Sequence, residues 1–147
     1  MGITNNLSTM DVPPMKPMRR LVLGLMLGLT ATAASAEWTI SGGNDQYMHY
    51  VDRATIRRNG NLVKMWNFFD YKKVQPSPST GLSYLSTKQQ SEYDCKEERT
   101  RILAFTTFDG KMGNGNVVFS DSDPDKWEPI GPGSVGETLW KIACGKK

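Results

Sequence analysis

The sequence predicts an α+β domain: an antiparallel, twisted, multi-stranded sheet with one C-terminal helix packed on it and tied to it by a disulfide. Three observations carry this. β-Prone runs separated by turn signals recur up to about residue 120, and from Leu85 to Glu98 the chain alternates with period two, the mark of a half-buried strand. The period changes only at the C-terminus, where a capped helical pattern appears, and strands followed by a helix, without βαβ alternation, read as an α+β layer. The chain has two cysteines, Cys95 in a strand-like stretch and Cys144 on that helix.

Residues 1–36 are expected to stand outside the fold as a signal peptide. Lys16, Arg19 and Arg20 precede the apolar run Leu21 to Ala33, and Ala34-Ser35-Ala36 has the small-x-small pattern of a signal-peptidase cut, which leaves Glu37 first. The run is short and contains Gly and Thr, whereas a retained transmembrane helix needs about 20 apolar residues. No cysteine lies at the cut, so a lipid anchor is not expected. Met15 and Met18 compete with Met1 as the start of the chain. The remainder, 37–147, reads as a single exported domain, placed in the periplasm or at the outer surface. Lys16, Arg19 and Arg20, set against Asp11 alone, lie in the leader, so most of the net charge of +3 belongs to it. A nearly neutral exported domain gives no footing for nucleic acid.

The elements follow in order. Glu37 to Gly42 reads as a short strand ended by glycines, and Gln46 to Asp52, "QYMHYVD", as an aromatic-rich one. In Ala54 to Tyr71, Asn59-Gly60 separates two β-prone runs, and Asn-Gly suits both central positions of a tight hairpin turn. The second run, Leu62 to Tyr71, is apolar on both faces and reads as a central strand covered on both sides. Val74 to Ser83, with two prolines and a glycine, is a loop. From Leu85 to Glu98 the chain alternates: Ser86, Lys88, Gln90, Glu92 and Asp94 form a polar, solvent-facing side, and Thr87, Gln89, Ser91, Tyr93 and Cys95 face the other way. Thr100 to Phe108 is another long strand, a glycine-rich turn spans Gly110 to Gly115, and a short strand covers Asn116 to Ser120. Ser134 with Glu137 three residues later forms a capping box. Leu139, Ile142 and Ala143 share a helical face beside Trp140 and Cys144, and Gly145 ends the helix.

An even cysteine count in an oxidising compartment, one residue on the sheet and one on its covering helix, predicts a Cys95–Cys144 disulfide. One histidine and two cysteines are too few for a zinc site, and His49 alone gives Cys95 no base. His49 itself reads as a packed aromatic. Asp121, Asp123 and Asp125 begin like a calcium loop, but Lys126 and Pro132 occupy the positions that need Gly and Glu. "GKMGNGN" lacks the ending of a phosphate loop and opens no helix. No carboxylate pair sits in a catalytic motif, so neither catalytic residues nor a metal are expected. The one candidate binding surface is the aromatic and basic mixture at Trp66, Phe69, Tyr71, Lys72 and Lys73, beside the Pro/Ser loop.

Taken together, "YMHYVD", "YDCKEERTRIL", "GNGNVV", "KWEPI", "PGS" and the terminal "LWKIAC" resemble the surface-adhesin protein E-like domain, a small exported bacterial domain. The order of elements and the two cysteines carry the resemblance over nearly all of 37–147. It implies a sheet and helix joined by a disulfide, binding to host extracellular proteins, haem binding, and a tendency to dimerise. The founding adhesin is lipid-anchored, which this chain does not match. Only Lys88 is basic between Val74 and Asp94, so a matrix contact built on a basic stretch there is not expected. The expected role is non-enzymatic binding of a host or envelope protein, without a cofactor of its own. The alternatives are a periplasmic module holding a small apolar or haem-like ligand between sheet and helix, and a structural envelope protein.

Overall fold

A computed structural model describes residues 36–147; the signal-peptide expectation therefore lies outside the described residues. Seven strands form one antiparallel sheet: β1 (Thr39–Gly43), β2 (Tyr47–Asn59), β3 (Leu62–Pro76), β4 (Ser83–Asp94), β5 (Arg99–Phe108), β6 (Val117–Asp121) and β7 (Glu128–Pro129). Strands β1 to β6 lie side by side in chain order, and β7 pairs with the start of β5. A 3-10 turn, Lys111–Gly113, interrupts the β5–β6 connection, and a single helix, α1 (Val135–Cys144), ends the fold.

Alternation sorts the strands onto two faces. Val51, Val63, Met65 and Tyr93 face α1 and are at most 1% exposed, and Leu139, Trp140 and Ala143 pack down on them. Ile142, which shares the predicted face, is only half-buried, and Trp140 is the deeper side chain. Its indole N–H donates to the Asp94 carbonyl at 3.2 Å, so the helix is hydrogen-bonded as well as packed. At the N-terminus Ser134 Oγ accepts from Glu137 N–H, and the Glu137 carboxylate accepts from Gly133 N–H. At the other end Gly145 takes the left-handed φ of 67° that closes a helix. Cys95 and Cys144 are joined, with Cα atoms 5.7 Å apart.

The outer face has its own small cover, as the two-faced pattern of β3 implied. Phe68, 2% exposed, lies under Trp38, with ring centres 5.3 Å apart, and against Gly113 of the 3-10 turn. Ser86 Oγ holds that turn, donating to Gly110 O and accepting from Gly113 N–H.

Five local expectations change. Gln46 to Asp52 and Ala54 to Asn59 are one strand, β2, bent by an irregularity between Asp52 and Arg57. Asp52 fills that break, accepting from Ala54 N–H while Thr55 Oγ1 donates to its carbonyl. The hairpin turn is displaced by one residue: Asn59 pairs with Leu62, and Gly60, at φ 60°, holds the first central position. The expected loop at Val74 to Ser83 shortens, because β3 runs to Pro76 and β4 starts at Ser83. Strand β4 ends at Asp94, so Cys95 lies in the turn that follows, its N–H bonded to Asn61 O. Finally, Glu92 and Asp94 are buried at 4% and 5% exposure instead of facing solvent. Arg101 binds Glu92, Arg99 binds Asp94, and Trp127 stacks on both arginines.

Candidate functional site

The helix is too small for the sheet it covers. Ten helical residues span about 15 Å, whereas the fifteen of β3 span about 50 Å. Core packing is confined to the part of the inner face around Val51, Val63, Met65 and Tyr93. Toward the start of β2 and the end of β3, the same face carries rings instead.

Register gathers them. Tyr47 pairs with Tyr71 and His49 with Phe69, so strand alternation puts all four on the inner side. Tyr47 meets Phe69 edge-on at 5.3 Å and Tyr71 at 5.8 Å, and Tyr71 meets Tyr84 at 5.5 Å. Phe105 and Phe119, 5.7 Å apart, stand on the β5–β6 side. Between these walls β4 supplies Thr87, Gln89 and Ser91, which are opposite Phe69, Asn67 and Met65. Ser91 Oγ accepts from Asn67 Nδ2 at 2.9 Å and from Gln89 Nε2 at 3.1 Å. The result is an aromatic trough with an amide and hydroxyl floor. Where it meets the first turn of α1 it deepens into a groove of about 280 Å³, lined by Tyr47, Phe69, Gln89, Tyr93, Val135 and Leu139, with Asp125 and Lys126 at its edge.

The tyrosine and histidine side chains here are uncharged at neutral pH. Burial, reinforced by the neighbouring Tyr84, pushes the Tyr71 phenol up to about 12. Burial also raises Tyr93 and lowers His49, so all three stay neutral. Two buried polar atoms here, Asn67 Oδ1 and the Tyr93 hydroxyl, have no hydrogen-bond partner among the described residues.

A serine–histidine contact exists: Ser41 Oγ and His49 Nδ1 are 2.6 Å apart. It is built as packing. His49 is 4% exposed, and the Gly42 backbone closes on the other ring nitrogen so tightly that a Cβ there would lie 2.7 Å from Nε2. A substrate has no approach to that nitrogen.

The residues singled out from sequence divide. Phe69 and Tyr71 belong to the trough. Trp66, opposite Asp52 and half-buried, lies on the outer face with the Lys88 ammonium 4.8 Å from its ring centre. Lys72 and Lys73 are exposed near the end of β3. Tyr47, Tyr84, Phe105 and Phe119 were missed; the signal was the hairpin register, which sets Tyr47 opposite Tyr71.

Residues 38–145 match the family model of the surface-adhesin protein E. The chain belongs to the surface-adhesin protein E family. Its fold is similar to that of Haemophilus influenzae protein E, with a TM-score of 0.52 at 14% identity, covering 71% of this chain and 88% of that one. Protein E from non-typeable Haemophilus influenzae gives a TM-score of 0.55 at 14% identity, covering 78% and 79%. No curated protein matches the sequence. At that identity the structural likeness shows the fold, and family membership supports a surface, adhesin-like protein. Among the described residues no helix is long and apolar enough to cross a membrane.

Proposed function

We propose that this domain is an exported, non-enzymatic binding protein that holds an extracellular or envelope protein through its aromatic trough. The observation that carries this reading is the half-covered inner face: the fold buries one end under α1 and leaves a connected set of rings on the other. Tyrosine gives large contact area with a polar tip and few rotors to freeze, which is why such residues anchor interfaces. The sheet and the disulfide-tied helix hold the rings still, so little ordering cost falls on association.

The test compares the wild-type domain with Tyr71→Ser and Tyr47→Ser as baits for host extracellular-matrix and envelope protein fractions. Truncating an anchoring ring costs 2 kcal/mol or more, about 30-fold in affinity. A protein retained by the wild type and lost from both variants, each still folded by circular dichroism at the assay temperature, is the expected result. Equal retention by all three baits refutes the trough as the contact. Retention of nothing favours a structural envelope role. The groove against α1 favours one second reading, a small apolar ligand seated between sheet and helix, displaceable from purified protein by organic extraction.

A further inference from the structure

The far end of the β2–β3 hairpin, remote from the trough, carries cations that the fold leaves without counter-ions. Arg57 on β2 stands directly opposite Lys64 on β3, and like charges facing each other across a ladder destabilise it. The chain does place an acid beside Lys64: Glu92 is its partner on β4. The fold gives that acid to a different base. Arg101 Nε and Nη2 both donate to Glu92 Oε2, at 2.8 and 2.6 Å. Arg99 holds Asp94 the same way, at 3.2 and 3.1 Å. Trp127 lies 4.5 and 5.0 Å from the two guanidinium carbons and fixes both pairs as one unit. Among the described residues, no ion pair takes Arg57, Arg58 or Lys64.

These cations are also held in place. Arg57 Nη1 donates to the Ala54 and Ile56 carbonyls at 2.8 and 2.9 Å. Arg58 Nη2 donates to the Cys144 carbonyl at 3.3 Å, so the disulfide-tied helix end positions it. A guanidinium has five N–H donors, and most of theirs stay free. Arg57 and Lys64, with Asn59 and Leu62, line a cavity of about 260 Å³ on the outer face, while Arg58, opposite Val63, turns its guanidinium to the helix side; the acid that borders the cavity, Glu92, is already paired.

The geometry points to an oxyanion site: the outer face of the hairpin tip binds a phosphate group, Lys64 and Arg57 supplying charge and directed donors, and Asn59 supplying a neutral one. Two unpaired cations around one cavity exceed what a single carboxylate neutralises and match the charge and several acceptor oxygens of a phosphate. Binding would also relieve the Arg57–Lys64 repulsion, which gives the awkward pairing a purpose. The site shares no residue with the trough and stands or falls independently of it.

The test is a titration of the purified domain with inorganic phosphate, against chloride at equal ionic strength, read by backbone amide shifts and melting temperature. Phosphate is expected to move the amides of Asn59, Gly60 and Asn61 and to raise the melting temperature. Arg57→Gln and Lys64→Gln should each weaken binding about tenfold, the loss expected for one charge-assisted bond. In phosphate-free buffer Lys64→Gln should melt no lower than wild type, so a folding defect cannot mimic the result. Equal shifts with chloride, or phosphate binding unchanged in both variants, overturn the proposal. Vesicles containing phosphatidic acid distinguish sources. Lys64-dependent retention assigns a lipid headgroup, whereas binding of free phosphate alone assigns a soluble phosphate. Binding of neither probe ends the idea.

Discussion

His49 is the residue whose environment makes the firmest solution prediction. Burial holds its pKa below the ordinary 6.5, and its Nδ1 is engaged by Ser41. Below pH 6.5 the unfolded chain takes up a proton that the folded chain refuses, so stability falls as the pH drops from 6.5 toward the folded pKa. Asp94, Asp109 and Glu137 act in a separate, more acidic window. Asp94 is held below its ordinary 3.8 by the Glu97 and Lys96 amides and Arg99, Asp109 below 3.8 by Asn116, and Glu137 below 4.5 by Lys141 and Gly133. Their contribution is complete above those ordinary values and is lost as the pH falls through the lowered ones. Melting temperature is therefore expected to decline as the pH falls below about 6.5, and His49→Gln should flatten that decline while leaving the acid limb below about pH 4 intact. A slope that survives the substitution assigns the effect elsewhere. Glu92 and Asp94 show where residue-level reading stops. Alternation put them on the correct face, but their burial comes from Arg99, Arg101 and Trp127, which no local pattern links to them.

At the scale of elements, α1 was the most legible, because its signals are local: a capping serine, a glutamate three residues on, a closing glycine. Ser134→Ala removes the hydroxyl that serves both Glu137 N–H and Gly131 O, and should cost about 1 kcal/mol in denaturant unfolding. The unity of β2 was not legible, since the irregularity between Asp52 and Arg57 breaks the alternation that defines a strand. Strand β7 and the 3-10 turn were invisible for a related reason. Each is a few residues held in shape by β5 or by Ser86, and neither has a period of its own. The disulfide closes a loop of 49 residues, for which chain entropy gives about 4 kcal/mol. Cys95→Ala should therefore lower the melting temperature by several degrees at least, as a loss of about 2–5 kcal/mol requires. An unchanged melting temperature would mean that packing of Trp140 and Leu139 alone holds the helix.

For the whole molecule, the two candidate surfaces lie at opposite ends of the β2–β3 hairpin, the trough where β2 begins and the cationic cavity where it turns. Substitutions in one should leave the other's ligand untouched, which a paired measurement on Tyr71→Ser and Lys64→Gln would show. A third of the trough's rings were readable, because Phe69 and Tyr71 sit in a conspicuous aromatic run. Its other walls come from β2, β4, β5 and β6, and only strand register unites them. Strand order has a further result, which concerns time. From β1 to β6 each strand neighbours the one made just before it, so every long ladder closes between adjacent segments. Such local pairings form early and do not wait for distant chain. A polypeptide delivered to its compartment N-terminus first can zip this sheet together before its helix segment emerges. Cys144, on the helix that follows β7, arrives after all of the strands. The covalent bond is then a latch set on a finished sheet and plays no part in guiding its assembly. Cys95→Ala protein should refold to the wild-type strand signal in far-ultraviolet circular dichroism, at a similar rate, and differ only in how readily it opens again.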